Sequence, residues 1–302
     1  MNLKKHSTND QKNKRLKGRP VGLNPRDIEI LQYIWKWKLS STESIHEAIN
    51  KIHSPYATYK VLEKLERSDY ISSQFDVVDR FNVWQLTSKG FLVLRSRMKP
   101  LIEEGYLSEN HYHDRLVQAF HLGEWCSYNL PQIDFWSEQE MRRHDQADYP
   151  EWVPGSKDHR PDGYTRIRSE NKNLVLAFEV ELSCKRPALY EKTLDYYKHA
   201  RNIYRIYWLV KNQETKDVIL RARACINEES TNYHLFVDLD DYLKNGWDAI
   251  VTNERSEKVK SLRENMQGHL GDIPGDLLGT NKGRSRVLVH LNPIKTLGKP
   301  RR

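Results

Sequence analysis

The sequence has few cysteines and no long apolar run. Its three cysteines stand alone (Cys126, Cys184 and Cys225), without the Cys-x-x-Cys spacing of a structural zinc site or the paired pattern of a disulfide framework. No apolar stretch approaches the roughly 18 residues that a membrane helix needs, and no apolar segment of a secretory signal follows the charged N-terminus. Glycine-rich nucleotide fingerprints and internal repeats are also absent. These absences argue against a disulfide-stabilised protein, a structural zinc site, a membrane-spanning protein and a secreted protein. They predict a soluble, cytoplasmic protein without a nucleotide cofactor.

The positive charge of the chain is concentrated at its two ends. Of the formal net charge of +8, residues 1–22 contribute +6 and residues 277–302 contribute +7, which leaves −5 for residues 23–276. Basic tails without apolar periodicity are typical of disordered arms that bind nucleic acid phosphates. The candidate contacts in the first tail are Lys14, Arg15, Lys17 and Arg19. Tails that only keep the protein in solution remain an alternative.

Residues 23–98 have the order of elements of a winged helix-turn-helix. Asn24 and Pro25 predict the start of a helix, and apolar residues at helical spacing predict two more helices, the third beginning near Ser54. Two segments of period two then predict a pair of strands, residues 70–73 and 81–86. In such a module the third helix enters the major groove of DNA. Its candidate DNA contacts are Tyr56, Tyr59, Lys60 and Arg67. Glu63 and Glu66 on the same helix would repel DNA phosphates, so the alternative that this module mediates dimerisation or docking stays open.

Residues 106–252 alternate between strand-like and helix-like segments, which predicts an α/β domain with a mixed sheet and flanking helices. Strands are expected at residues 133–140, 162–168, 173–183, 203–210 and 233–238. From residue 253 to residue 302 the periodicity is lost, so this basic segment is expected to be loop-like or disordered.

The chemistry of the sequence is concentrated in Pro161-Asp162-Gly163 and in Glu179-Val180-Glu181. The apolar run Leu174–Phe178 predicts a strand buried on both faces, and the two glutamates at its end project the same way, about 7 Å apart. A hairpin with the four-residue loop 169–172 would place Asp162 opposite Glu179. Three partly buried carboxylates are costly without a cation, and oxygen ligands suit Mg²⁺ or Mn²⁺. A register slip of one residue would turn Asp162 to the other face.

Asp162, the hairpin and Glu179-Val180-Glu181 resemble the PD-(D/E)xK nuclease superfamily. Over roughly residues 25–210 the chain is also similar to the replication-relaxation family, which includes the MobC-type plasmid mobilisation relaxases. The matching motifs are Trp84–Gly90, His113-Asp114, Trp136–Glu140, Pro161–Gly163, Phe178–Glu181 and Lys192–Tyr196. The resemblance implies a restriction-endonuclease-like domain behind the winged helix and metal-dependent nicking of DNA.

The resemblance also assigns roles to individual residues. It implies that Asp162 and Glu179 bind the metal, while Glu181 stands where most members have lysine. The missing cation would then come from Lys192 or Lys185, and Glu140 or Glu138 would match an additional upstream acid. His113 and Asp114 are either structural or, if their helix packs under the acids, support those acids; a zinc site with His111 and His121 is disfavoured by the spacing. The nucleophile is left open between water and a tyrosine, with Tyr196 the first candidate beside Tyr190 and Tyr197.

Three functions are therefore open. The first is a metal-dependent DNA endonuclease or relaxase that acts in plasmid mobilisation or replication, and that has other relaxosome proteins as partners. The second is a non-catalytic DNA-binding regulator or relaxosome accessory protein. The third is a restriction or transposition endonuclease, which would cut both strands. A homodimer is compatible with all three, and the sequence gives no reason to expect a membrane partner.

Overall fold

The computed structural model describes residues 22–50, 52–76, 81–123, 132–155, 157–169, 172–226 and 233–270. The first elements are α1 (Pro25–Trp37), β1 (Ser40–Ser41), α2 (Thr42–Ile45), a π-helical turn (His46–Asn50), α3 (Pro55–Arg67), β2 (Ile71–Asp76), β3 (Phe81–Leu86) and α4 (Ser88–Arg95). The central elements are α5 (His111–Leu122), β4 (Ile133–Ser137), α6 (Glu138–Arg143), β5 (Gly163–Ser169), β6 (Lys172–Glu181), α7 (Pro187–His199) and β7 (Ile203–Val210). The last elements are α8 (Gln213–Cys225), β8 (His234–Asp238), α9 (Leu239–Asn245), β9 (Ile250–Thr252), β10 (Lys258–Ser261) and α10 (Leu262–Leu270).

Residues 22–98 form the N-terminal unit, which has a small core of its own. The side chain of Asn24 caps α1 and Pro25 opens that helix, as the sequence predicts. Among the described residues, three short strands form an antiparallel sheet in the order β1-β3-β2. The buried stripes of α1 and α3 pack with this sheet and α4, which leaves the opposite side of α3 open to solvent.

A mixed sheet forms the centre of residues 106–270. Its seven described strands follow the order β10-β9-β8-β7-β6-β5-β4. The pairs β6–β7 and β7–β8 are parallel and the remaining pairs are antiparallel. One apolar cluster lies on the face that α5, α9 and α10 cover, and a second lies on the face that α7 and α8 cover. The expected mixed sheet with flanking helices is therefore present. In the described parts of the chain, no helix has the length and apolar character needed to cross a membrane.

Two of the expected segment assignments are wrong. Strand β4 ends at Ser137, and Glu138–Arg143 form α6, because Ser137 and Glu140 make a capping box. The segment after residue 253, which we expected to be loop-like, continues as β10 and α10; Leu262 and Met266 of α10 are buried against the sheet. Residues 1–21 of the predicted tail at residues 1–22 lie outside the described residues, as do residues 271–302.

The N-terminal unit packs on the central sheet domain through the end of α1. Trp37 forms a small cluster with Leu122 of α5. The Nζ atom of Lys36 donates to the carbonyl of Phe135 at 2.7 Å, and the indole of Trp35 donates to the carbonyl of Gly105. The C-terminal end of α1 is thus fixed beside the elements that carry the candidate acids.

Candidate active site

Strand β6 carries Glu179 and Glu181 at its C-terminal end. The strand is interior to the sheet, between β5 and β7, and Leu176, Ala177 and Phe178 are buried. The prediction of a strand buried on both faces is confirmed. Both glutamates are also buried and face α7, whereas Val180 between them belongs to the apolar cluster under α5. The shared direction of the two glutamates follows from the alternation of side chains along a strand.

The register of the β5–β6 hairpin agrees with the sequence, but its loop is shorter. Arg168 pairs with Asn173, as predicted, and Ser169 still pairs with Lys172 within the ladder. A loop of four residues is therefore wrong. At the other end of β5, Gly163 pairs with Phe178, and the N–H of Asp162 donates to the carbonyl of that same Phe178. The regular alternation of the pleat thus stops at Gly163.

Asp162 consequently faces the other side of the sheet edge. Its carboxylate accepts a hydrogen bond from the N–H of Val180 at 2.6 Å and lies 3.6 Å from His113 of α5. Glu179 and Glu181 contact α7 instead. The expectation that all three acids face one way is wrong, because Asp162 precedes the strand rather than continuing it. The three acids still lie at the same end of the hairpin, with Asp162 on the side of α5 and the two glutamates on the side of α7.

Glu179 is held by two side chains from other parts of the fold, His159 and Tyr197. His159 Nε2 lies 2.5 Å from its Oε1, and the hydroxyl of Tyr197 donates to the same oxygen. Tyr197 is buried on α7, whereas His159 comes from the loop before β5. The sequence offered no local signal for His159, since the contact depends on how that loop folds back.

Glu181 is paired with Lys185, four residues further along the chain. The Lys185 Nζ lies 2.7 Å from Glu181 Oε1, and the hydroxyl of Tyr190 donates to the second carboxylate oxygen at 3.3 Å. Burial raises the pKa of Glu181, and the charge of Lys185 opposes that shift. Of the two candidate cations, Lys185 is the one beside the acids. Lys192 is exposed on α7, and no ion pair joins it to these acids in the described part of the chain.

His113 is the charged neighbour of Asp162. Burial disfavours the imidazolium, but hydrogen bonding to Asp114 and the charges of Asp162 and Asp114 raise the pKa of His113 to about 9. Burial raises the pKa of Asp162 to about 7, and the charges of Glu179 and Glu138 act in the same direction against that of His113. His113 Nε2 also lies 3.3 Å from the carbonyl of Val180. The predicted support of the acids by His113 is thus a direct contact with Asp162.

A lysine from the N-terminal unit lies next to this group. Lys38 Nζ lies 3.0 Å from Asp114 Oδ1 and 2.6 Å from Glu138 Oε2. The N–H of Glu138 in turn donates to the backbone carbonyl of Asp162 at 3.0 Å. Of the two upstream acids that the sequence offers, Glu138 is therefore the one beside Asp162. Glu140 instead caps its own helix through Ser137 and forms an ion pair with Lys36 at 3.0 Å.

The hydroxyls of the three candidate tyrosines are engaged inside the protein. Tyr190 and Tyr197 hydrogen bond to the two glutamates, and the hydroxyl of Tyr196 lies 2.7 Å from that of Tyr164. Burial raises the pKa of Tyr196 to about 12. An un-ionised phenol that is already hydrogen bonded is a poor nucleophile.

The donor set has the right chemistry for a hard divalent cation, because carboxylate oxygens are what Mg²⁺ and Mn²⁺ prefer. Within the described ranges, however, no three His, Cys, Asp or Glu side chains are gathered closely enough to hold a metal ion. Each acid has a basic partner of its own instead: His113 for Asp162, His159 for Glu179 and Lys185 for Glu181. A cation is therefore not required to make the cluster tolerable, contrary to the argument from sequence.

The candidate DNA contacts on α3 differ in how open they are. Tyr56, Lys60 and Arg67 are exposed, while Tyr59 is half-buried. Lys60 Nζ lies 2.8 Å from Glu63 and 5.2 Å from the centre of the Tyr56 ring. The basic residues Lys14, Arg15, Lys17 and Arg19 lie outside the described residues.

Comparison with known proteins adds no relative to this description. No protein-family model, no curated protein and no solved structure matches the chain.

Proposed function

We propose that the chain is a DNA-binding protein that nicks DNA with the acids at the end of the β5–β6 hairpin. The observation that carries the proposal is that Asp162, Glu179 and Glu181 lie at one end of the hairpin, with the two glutamates buried, Asp162 half-buried and Lys185 beside Glu181. The raised pKa values of Asp162 and Glu181 support the proposal as well, because acids with perturbed pKa values cluster at catalytic sites. Their position after an interior strand is also typical of sites in α/β sheets.

The N-terminal unit is proposed to be a winged helix that binds the DNA. The order α1-β1-α2-α3 followed by the β2–β3 hairpin supports this assignment. So does the two-sided character of α3, with a buried stripe at Thr58, Leu62 and Leu65 and an exposed side with Tyr56, Lys60 and Arg67. In this arrangement α3 lies in the major groove and its basic side chains contact phosphates or base edges.

Asp162 and Glu179 are the residues that would hold Mg²⁺ or Mn²⁺ in this proposal, since Mg²⁺ is commonly held by one or two carboxylates with water in the other positions. A bound divalent ion would activate water and neutralise charge on the scissile phosphate. Lys185, which bonds to Glu181, would stabilise the same developing charge. Water is the preferred nucleophile in this proposal, since the hydroxyl of Tyr196 is bonded to Tyr164.

The test uses supercoiled plasmid, with and without Mn²⁺, and the full chain. We expect open-circle product that depends on the metal and disappears in Asp162→Asn and Glu179→Gln, while the affinity of both variants for duplex DNA is unchanged. Nicking by both variants at the rate of the parent protein would refute the assignment of the acids. Linear product instead of open circles would favour a restriction or transposition endonuclease.

A non-catalytic DNA-binding regulator or relaxosome accessory protein is the second candidate. The specific observation in its favour is the internal pairing of all three acids with His113, His159 and Lys185. It predicts salt-dependent binding to DNA and no cleavage of any substrate with either metal. Both candidates share DNA as a partner and a cytoplasmic location, with which the exposed free thiols of Cys184 and Cys225 are compatible.

A further inference from the structure

The end of α1 is connected to the turn that carries Asp162 by two short chains of contacts. In the first, the ring of Trp37 packs against the ring of His121 with centroids 5.3 Å apart, and His121 lies against Gly163. In the second, Lys38 binds Glu138, whose N–H donates to the carbonyl of Asp162. Trp37 is therefore connected to Gly163 through His121, and the next residue, Lys38, is connected to Asp162 through Glu138.

Lys38 makes the more specific of these connections. Its side chain is 15% exposed, and its Nζ lies between Glu138 at 2.6 Å and Asp114 at 3.0 Å. Asp114 lies 3.5 Å from the imidazole of His113, which contacts the Asp162 carboxylate. The ammonium group of Lys38 thus binds Asp114 and Glu138, and each of these two acids is connected to Asp162. Lys38, Asp114, Glu138 and Asp162 also line one small cleft.

The backbone at Lys38 is unusual for a residue with a side chain. Lys38 follows the last turn of α1 with φ 65° and ψ −33°, a left-handed conformation that is costly for residues other than glycine. Such a conformation persists only where the surrounding contacts hold it. Here the N–H of Lys38 donates to the carbonyl of Trp35 at 3.2 Å, and the two ion pairs of Nζ add to that hold.

We propose that Lys38 is a positioning residue: it fixes Asp162 through Glu138 and through Asp114 and His113, so that the placement of the N-terminal unit determines the order of the acid site. The effect on nicking rests on the proposed function. The effect on the position of Asp162 does not, and it has a readout of its own. The N–H of Val180 donates to the Asp162 carboxylate, so its hydrogen exchange reports whether that carboxylate stays in place.

Lys36 supplies a matched control. It lies on the same helix, crosses the same interface and forms an ion pair of 3.0 Å with Glu140. Its partner Glu140 bonds to Ser137 and not to Asp162 in the described structure. Replacing Lys36 by methionine removes this ion pair and the hydrogen bond from its Nζ to the carbonyl of Phe135, and it leaves the ion pairs of Lys38 with Glu138 and Asp114 in place.

The experiment measures exchange of the Val180 amide by NMR in the full chain. We expect Lys38→Met to accelerate this exchange about tenfold, which is the effect of losing a charged hydrogen bond. Lys36→Met is expected to leave it within about twofold, and Lys38→Arg to restore the parent rate. If Lys38→Met does not fold, Glu138→Gln breaks the same connection from its other end and is expected to accelerate exchange equally. Equal exchange in the Lys38 (or Glu138) and Lys36 variants would overturn the proposal.

Plasmid nicking gives the second readout. We expect Lys38→Met to lower kcat about tenfold, with KM and duplex affinity unchanged, because the residue acts on Asp162 and not on the DNA. A change in KM alone, or the same loss in Lys36→Met, would mean that the interface only holds the two units together, and would also refute the proposal. If the parent protein does not nick DNA at all, the proposed function fails, whereas the exchange of Val180 still decides the role of Lys38.

Discussion

The Cα atom of Gly163 faces the imidazole ring of His121 so closely that no side chain fits between them. A Cβ atom built on Gly163 would lie 2.1 Å from Cε1 and 2.2 Å from Nδ1 of His121. The ring itself has little room to move, since Trp37 and Phe178 pack against it with centroids 5.3 and 4.9 Å away. Glycine beside Asp162 is therefore required by packing against α5.

Gly163→Ala is expected to destabilise the protein by about 1–3 kcal/mol, the usual cost of inserting a methyl group into a packed core. Urea unfolding measures this loss. Gly268→Ala in α10 is the matched control, because nothing lies within 4 Å of its added Cβ; alanine there is expected to stabilise the helix by up to about 1 kcal/mol. Equal stability of the Gly163→Ala variant and the parent protein would contradict this packing.

The same histidine makes the stability of the fold depend on pH. Burial lowers the pKa of His121 to about 3, against a backbone hydrogen bond at Tyr164 that acts in the opposite direction. In the unfolded chain His121 is protonated near pH 6.5, whereas in the folded protein it is protonated only near pH 3. The contribution of His121 to stability is therefore complete above pH 6.5 and is lost as the pH falls toward 3.

Between pH 7 and pH 4.5 this single group is expected to cost about 2–3 kcal/mol of unfolding free energy. The measurement compares urea midpoints at the two pH values. His121→Phe keeps an aromatic ring without the titrating nitrogens, so its loss of stability should be smaller by about that amount. An identical pH profile for His121→Phe would show that another group is responsible.

The strands and caps could be predicted from the sequence because local patterns specify them. The apolar run before Glu179 predicts an interior strand, and the pairing of Arg168 with Asn173 follows from the hairpin. The capping box of Ser137 and Glu140 was also readable as Ser-x-x-Glu. The strand-like pattern at residues 133–137 has no break before this cap, so periodicity alone extends the strand to residue 140.

The partners of the acids could not be predicted in this way. Lys38 and Glu138 are 100 positions apart in the chain, and His159 reaches Glu179 from a loop without regular structure. The direction of Asp162 was also out of reach, because the alternation of a strand gives no information about the residue just before it begins. Local periodicity therefore locates the acids, whereas long-range packing decides which cations they meet.

Lys185, rather than Lys192, is expected to be the cation of the site. Lys185→Met should lower the nicking rate on the order of 100-fold, as removal of one fixed donor does in other enzymes, because Lys185 bonds to Glu181 and lies close to the acids. Lys192→Met is the matched control with the same loss of charge and should nick at the parent rate. Single-turnover nicking measures both. Activity lost in Lys192→Met but kept in Lys185→Met would reverse the assignment.

The exposed side of α3 gives the prediction that tests DNA binding itself. Lys60→Ala should weaken duplex affinity and reduce the slope of log affinity against log salt by about 1, the effect of one lost phosphate contact. Fluorescence anisotropy of a labelled duplex over a salt series measures both quantities. Because Glu63 holds the Lys60 ammonium at 2.8 Å, Glu63→Gln should release that charge and tighten binding.

The control for Lys60 is Lys258, an exposed lysine on β10, far along the sheet from the N-terminal unit. Lys258→Ala removes the same charge and should leave both the affinity and the salt slope unchanged. If both lysine variants weaken binding equally, the affinity for DNA depends on the net charge of the protein and not on α3. If neither does, α3 is not the contact surface, and binding that persists must come from another basic part of the chain.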